Sequence, residues 1–405
     1  MADSIIIIGG GVAGVSAAEE LRKCGFNGNL TILNEERELP YDRPPLSKSY
    51  ASGVLDEEEL LLRPPEWYED HKVRLCHERA ARLLPHHRSI ELAGGGLLRY
   101  DLLLLATGAR ARTPAGFESS SRILTLRNLA DARRFRALLH HGQRLHLVGG
   151  GVIGMECAAT AALAGCQVTV LEAGERIMER FVPPVISDVL ATTHRRNAVT
   201  IRERFRVGSI AGNESGVVIT GSGEVIETDW VLLGMGAKAE IGLAQAAGIA
   251  IEVGGIKVDG EGRTSEPGIF ATGDCAAFPG PDGGKLIRWE NWTHARDHAR
   301  SVARAMLGDT CSYNGICWVW SNQYDFNVQV TGQSNAETVL LRGDQHQGPL
   351  TTLHLEGNRI VGAATVNNPH DKRALHQLVR ARATISREIL EDSSIPLSEI
   401  VRTLQ

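Results

Sequence analysis

The sequence predicts an α/β fold in which one strand–turn–helix unit occurs twice and an α+β domain follows at the carboxyl end. Three observations carry this. An apolar run ending at Ile8 stops at glycines spaced G-x-G-x-x-G: Gly9, Gly11 and Gly14. The same arrangement returns 140 residues later, where Leu145 to Val148 leads into Gly149, Gly151 and Gly154. Beyond Gly308 the chain changes to alternating apolar and polar residues ahead of a helical tail.

Each glycine of the opening motif answers a separate demand. Gly9 permits a tight turn, Gly11 lets a pyrophosphate approach the backbone, and Gly14 lets the helix pack closely on the strand. The positive end of the helix then faces the phosphate. A second strand, Leu30 to Leu33, delivers an acid, Glu35, toward the place of the ribose hydroxyls. Next comes Pro40-Tyr-Asp-Arg-Pro-Pro-Leu-Ser-Lys48, whose prolines stiffen the backbone that carries Arg43 and Lys48. Residues 51 to 70 are acidic and leucine-rich and read as a short helical excursion. Tyr100 to Gly108 is a further buried strand ending in Ala-Thr-Gly, and Ala109 to Phe117, with Pro114 and Gly116, reads as a linker.

The second glycine motif opens an alanine-rich helix, and the strand Val168 to Leu171 after it ends at Glu172. Strand, turn, helix, strand and acid thus recur in order, an internal duplication that implies two bound dinucleotides. Residues 195 to 230 alternate as short antiparallel strands do, and Val231 to Gly236 closes the unit. The chain then reaches Thr264 to Asp274, a strand ending in Gly-Asp. A carboxylate at the ligand edge of a parallel sheet suits sugar hydroxyls. Residues 285 to 308 read as a helix carrying Arg296, Arg300 and Arg304 every four residues, a basic stripe on one face. The boundaries that follow are 1–110 with 237–312 for one dinucleotide-binding domain, 111–236 for the other, and 313–405 for the carboxyl-terminal α+β domain.

Composition narrows the class. The chain has 405 residues, enough for about three domains. Hydrophobic content of 43% and charged content of 22% are ordinary for a globular protein. The first strand begins within a few residues of the amino terminus, which leads us to expect no targeting segment, no membrane span and a cytoplasmic protein. Seven cysteines, Cys24, Cys76, Cys157, Cys166, Cys275, Cys311 and Cys317, include no Cys-x-x-Cys pair, so neither a zinc site nor a redox disulfide is expected. A net charge of −5 gives no overall attraction for nucleic acid or membrane.

With these residues in view, the chain resembles the FAD-dependent NADH:ferredoxin reductases of bacterial oxygenase systems. The likeness runs through the first glycine motif, Pro-Tyr-Asp-Arg-Pro-Pro-Leu-Ser-Lys, Ala-Thr-Gly, the second glycine motif with Glu156, Glu172 with Arg176 and Arg180, Thr-Gly-Asp, and Trp-Ser-Asn-Gln. It implies two Rossmann-like dinucleotide-binding domains in a glutathione-reductase-like arrangement. By resemblance, Gly9, Gly11, Gly14, Glu35, Arg43, Lys48, Thr107, Gly108 and Asp274 contact FAD, while Gly149, Gly151, Gly154, Glu156 and Glu172 contact NADH. Lys48 is expected beside the flavin ring, paired with the catalytic Glu156, and Trp292 near the flavin on the ferredoxin side. The implied partner is an acidic [2Fe-2S] ferredoxin, docking near Arg296, Arg300 and Arg304. Two positions depart from the family pattern. Ala237-Lys-Ala-Glu240 stands where a Pro-Asn step is usual, and Asn322 replaces the aspartate of Trp-Ser-Asp-Gln.

The rival readings are an NADH oxidase, a disulfide reductase or a rubredoxin reductase of the same fold, and a flavin- and NADH-binding signalling protein. Redox cysteines would mark the disulfide enzymes, yet this chain has Arg43 and Ser47 there. A basic surface for nucleic acid would mark the signalling protein, and the net charge is acidic.

Overall fold

The computed structural model describes residues 2–114, 117, 120–281, 284–310, 312–343 and 349–402. They fall into two compact units. One comprises Met1–Asp42, Glu57–Arg110 and Ala237–Gly315, the other Arg43–Asp56, Ala111–Gly236 and Ile316–Gln405.

The first unit is built on a five-stranded parallel sheet in the order Ile269–Ala271, Leu102–Leu105, Ser4–Ile8, Asn29–Leu33, Val73–Cys76. Its central strands are unbroken apolar runs because both faces are covered. Ile5 and Ile7 pack with Ala17, Leu21 and Val302, while Ile6, Ile8, Leu103 and Leu105 pack with Ile249 and Ile256. Ala13, Ala17 and Ala18 of the helix Val12–Lys23 share a cluster with Ala295, Ala299 and Ala303 of the helix Trp292–Met306. Small side chains on both surfaces let two helices approach closely.

In the second unit the parallel sheet runs Thr200–Arg202, Gln167–Leu171, Arg144–Val148, Trp230–Leu233, Ile123–Leu124. In both sheets the glycine-motif strand is central, at the point where strand order reverses and where such sheets bind ligands. The carboxyl-terminal sheet is antiparallel, in the order Trp318–Gln323, Phe326–Gly332, Arg359–Val366, Leu350–Glu356, Thr338–Gly343. Leu340, Leu353, Leu355 and Ile360 pack under the helix Lys372–Arg380, whereas Val328, Val330 and Ala364 join the core around Leu147 and Met155.

Several elements differ from the sequence expectation. The helix expected over 285–308 begins only at Trp292, because Leu286–Ile287 is a strand paired with Phe278 and Pro279. Asn291 caps it, accepting the His294 N–H at 2.8 Å. Residues 51 to 70 contain a short turn, Glu58–Leu60, and a helix, Pro65–Asp70. The expected linker opens with a strand, Ala109–Ala111, and its Gly116 lies outside the described residues, as does Cys311. Of the stretch 195–230 expected as antiparallel strands, Val207–Gly212, Val217–Gly221 and Glu224–Thr228 are antiparallel, whereas Thr200–Arg202 pairs parallel with Thr169–Leu171 and residues 195 and 196 end the helix Pro184–Arg196. Among the described residues no helix is long and apolar enough to cross a membrane.

Candidate active site

The first glycine turn has the geometry its spacing demands. Gly9 has φ +118°, a left-handed conformation, and a Cβ there would lie 2.2 Å from the Ala106 carbonyl oxygen. A Cβ on Gly14 would lie 1.9 Å from the Gly9 carbonyl oxygen. At Gly11, beyond its own chain neighbours, no atom of the described residues lies within 4 Å of that position. Gly11 also caps the helix Val12–Lys23, so the space opens onto the unpaired N–H groups of a helix start. Two buried hydroxyls of this unit, Thr272 Oγ1 and Thr293 Oγ1, have no hydrogen-bond partner among the described residues. An open cradle at a helix start, with one unspent hydroxyl just before Gly273–Asp274 and another at the start of the helix Trp292–Met306, fits a bound dinucleotide. No motif or spacing in the sequence singles out Thr293.

The second turn repeats the first. A Cβ on Gly154 would lie 2.1 Å from the Gly149 carbonyl oxygen, and Gly149 has φ +106°. Gly151 again faces open space and caps the helix Val152–Leu163. The acids, however, are not equivalent. Ile8 pairs with Leu33 and Val148 with Leu171, so the residue matching Glu172 is Asn34, and Glu35 lies one position further on. Asn34 uses its amide on the Glu36 and Glu38 carbonyls at 3.0 and 2.9 Å. Glu35 is exposed and 3.8 Å from Arg79. Glu172 instead accepts the Gly150 and Gly174 N–H groups, each at 2.6 Å. Arg176 donates to the Val182 and Glu179 carbonyls at 2.8 and 3.1 Å.

Within the second unit the proline segment is folded as a 3-10 turn, Pro44–Ser47, and Arg43 donates to the Arg127 carbonyl at 2.6 Å. The turn brings Lys48 Nζ to 3.0 Å from Glu156 Oε1, with the lysine side chain 18% and the glutamate 2% exposed. Ser47 donates to Glu156 Oε2 at 2.5 Å and Ser321 to Oε1 at 2.8 Å. A buried carboxylate is tolerated only when its lone pairs are met. Here one cation and two hydroxyls from two separate stretches of chain, Ser47–Lys48 and Ser321, meet them. Burial pushes the Cys157 thiol, next in the helix, well above its usual range, which disfavours the reactive thiolate.

In the first unit, Thr107 donates to the Glu240 carbonyl at 2.6 Å and the Gly108 carbonyl accepts the Glu240 N–H. The return crossing is therefore anchored without the Pro-Asn step. Trp292 Nε1 donates to Asp42 at 2.6 Å, and the guanidinium of Arg296 lies 5.0 Å over the Trp292 ring. The arginine stripe is engaged: Arg296 with Asp297 at 2.7 Å, Arg300 with Glu19 at 3.6 Å, Arg304 with Glu20 at 3.5 Å. Asn322 points away from Ser321 and Gln323, is exposed, and accepts the Asn327 amide at 2.6 Å. The charge lost there does not belong to the Glu156 network.

Comparison with known proteins fits this geometry. Residues 3–299 match the family model described as pyridine nucleotide-disulphide oxidoreductase, and residues 318–401 match the model described as reductase C-terminal. The chain is 36% identical over 397 residues to the ferredoxin–NAD(+) reductase component of the p-cumate 2,3-dioxygenase system of Pseudomonas putida, covering 98% of each chain. It is 36% identical over 399 residues to rhodocoxin reductase of Rhodococcus erythropolis, covering 97% of this chain and 93% of that one. The crystal structure of the covalent putidaredoxin reductase–putidaredoxin complex superposes with a TM-score of 0.94 at 32% identity, covering 99% of this chain and 98% of that one. With both glycine cradles, the reductase C-terminal sheet and near-complete coverage in hand, the chain belongs to the pyridine nucleotide-disulphide oxidoreductases, among the FAD-dependent NADH:ferredoxin reductases of bacterial oxygenase systems.

Proposed function

We propose that this chain takes reducing equivalents from NADH onto FAD and passes them singly to a [2Fe-2S] ferredoxin that serves an oxygenase. FAD supplies what a nicotinamide lacks, the ability to accept electrons in pairs and release them one at a time. In our reading Gly9, Gly11, Gly14, Glu35, Thr107, Gly108, Asp274 and Trp292 hold FAD, with Arg43 and Lys48 contributing from the proline segment, and 1–110 with 237–312 is the FAD domain. Gly149, Gly151, Gly154 and Glu172 hold NADH in the domain 111–236, and 313–405 forms the third domain. The observation that carries the reading is the Lys48–Glu156 pair. Glu156 lies just over one turn beyond Gly151 on the helix that caps the second cradle, so it addresses the dinucleotide held there, and it fixes the Lys48 cation in place. Six described cysteines are free thiols, which accords with a cytoplasmic setting.

The purified protein is expected to carry one FAD per chain and to reduce cytochrome c with NADH only when ferredoxin is added. A folded, colourless preparation that takes up no FAD, or one whose cytochrome c turnover ignores ferredoxin, refutes the proposal.

NADH is expected to outperform NADPH by at least about a hundredfold in kcat/KM. Two like charges about 4 Å apart repel by about 4 kcal/mol at a surface-like dielectric, and each 1.4 kcal/mol is tenfold. Glu172 is held by two amides where a 2′-phosphate would arrive, and Arg176 is turned onto backbone carbonyls. Steady-state kinetics with both nucleotides, on the native enzyme and on Glu172→Gln, measure this. An unchanged ratio in the variant removes Glu172 from cofactor choice.

For docking we propose that the acidic ferredoxin meets Arg296, Arg300 and Arg304, whose side chains stay 32%, 39% and 47% exposed despite their ion pairs. A second reading is favoured by the carboxyl-terminal domain, where Lys372, Arg373 and Arg380 surround an open cavity. There the Lys372 ammonium lies 3.4 Å over Trp318, itself stacked on Trp320 at 4.9 Å. Arg300→Glu and Arg373→Glu separate them: the variant on the true surface should lose about tenfold in ferredoxin reduction at low salt, converging at high salt, with NADH-to-ferricyanide turnover unchanged.

A further inference from the structure

Beyond Glu156 the buried hydrogen bonds continue. Gln323 Nε2 lies 3.0 Å from Ser321 Oγ, His194 Nε2 lies 2.9 Å from Gln323 Oε1, and the Tyr324 hydroxyl lies 3.3 Å from His194 Nδ1. Ser321, Gln323 and His194 are all buried. The polarity of this chain is fixed from one end. An ionised carboxylate only accepts, so Ser321 spends its proton on Glu156 and its oxygen must accept from the Gln323 amide. The Gln323 carbonyl then accepts, which requires a proton on His194 Nε2, and His194 Nδ1 accepts from Tyr324. Each group agrees with its place. Burial lowers the His194 pKa to about 4, opposed by the Gln323 bond, so the ring is neutral; burial raises Tyr324 to about 12, so its hydroxyl remains a donor.

We propose that Ser321 and Gln323 are positioning residues for hydride transfer, and that neutral His194 with Tyr324 anchors the far end of a one-way hydrogen-bond chain that orients the Glu156 carboxylate toward Lys48. The proposal rests on the role given above to the Lys48–Glu156 pair. All bonds in the chain are aligned, so each polarises the next. The carboxyl-terminal strand Trp318–Gln323 thereby acts on the acid through the two side chains on its buried face, while Asn322 between them faces outward.

The test uses the FAD-loaded enzyme. Single-turnover reduction by saturating NADH is expected to slow about tenfold in Ser321→Ala, the effect of losing one hydrogen bond to a charged group. Ser321→Thr, which keeps the hydroxyl, should stay within about twofold. In a Glu156→Gln background, Ser321→Ala should have no further effect, because the two act as one. Gln323→Met keeps the side-chain length without a strong donor and should show the same coupling at smaller size, should Ser321→Ala fold poorly. A readout independent of turnover is the His194 ring by nitrogen NMR at neutral pH, expected as the Nε2–H tautomer in the native enzyme and mixed in Gln323→Met. If Glu156→Gln alone leaves reduction unchanged, the role of the pair fails. If Glu156→Gln slows the reaction but Ser321→Ala slows it equally in both backgrounds or not at all, or if native His194 carries its proton on Nδ1, the positioning proposal fails while the role of the pair stands.

Discussion

Replacing Lys48 by alanine is expected to slow reduction of the flavin by saturating NADH about a hundredfold, because a fixed charge aimed at developing negative charge contributes on that scale. NADH affinity should change by less than about threefold, since the lysine acts on the step and not on the nucleotide's grip. Lys48 is fixed by a carboxylate only 2% exposed, so the cation needs no reorganisation when charge moves. The same substitution leaves Glu156 with two hydroxyl donors and no cation. Breaking a buried pair costs about 3–5 kcal/mol, and the partial exposure of the lysine places this case toward the lower end. Lys48→Ala with Glu156→Gln should therefore recover stability without recovering rate. Stopped-flow reduction and thermal melting of the single and double variants measure both; a variant that loses nucleotide affinity while keeping its reduction rate contradicts the role.

The second large effect separates two glycines of one motif. Gly14→Ala places a carbon 1.9 Å from the Gly9 oxygen, a backbone atom with nowhere to move, so the turn must open. Overpacking of this kind costs about 1–3 kcal/mol, and the flavin should be lost with it. Gly11→Ala meets no atom of the described residues beyond its own neighbours, and its extended backbone suits alanine. Its apoprotein should melt close to the native apoprotein while FAD binds at least about tenfold more weakly, which is about 1.4 kcal/mol. Gly151→Ala should mirror this, raising KM for NADH while flavin content stays native. Equal melting of the Gly11→Ala and Gly14→Ala apoproteins would deny the distinction between packing glycine and ligand glycine.

What the sequence disclosed follows the range of the interactions involved. The glycine motifs, the strands before them and the stripe of arginines are set by residues within a turn or two of one another, so spacing alone exposes them. The partners of the Glu156 carboxylate sit 109 and 165 residues away in the chain, and no local pattern links Ser47 or Ser321 to it. The stripe was legible as a helix face, but Glu19 and Glu20 opposite it belong to the amino-terminal helix. Register explains the mismatch of the acids. The two units are duplicates in topology, yet a one-residue offset puts Asn34 where Glu172 stands, a distinction that only strand pairing reveals.

The order in which the strands are made bears on how the chain reaches this fold. Every strand of the second parallel sheet lies between Ile123 and Leu233, so that sheet can close as soon as its own stretch has been synthesised. The first sheet waits. Its strand Leu102–Leu105 receives its outer neighbour only when Ile269–Ala271 has emerged, long after the other strands exist. Until then four consecutive leucines stand at a bare sheet edge, the kind of surface on which nascent chains stick to one another. The second sheet thus closes while the first is still unfinished, and a chain cut short after Gly236 would keep that edge exposed and precipitate where the full chain does not.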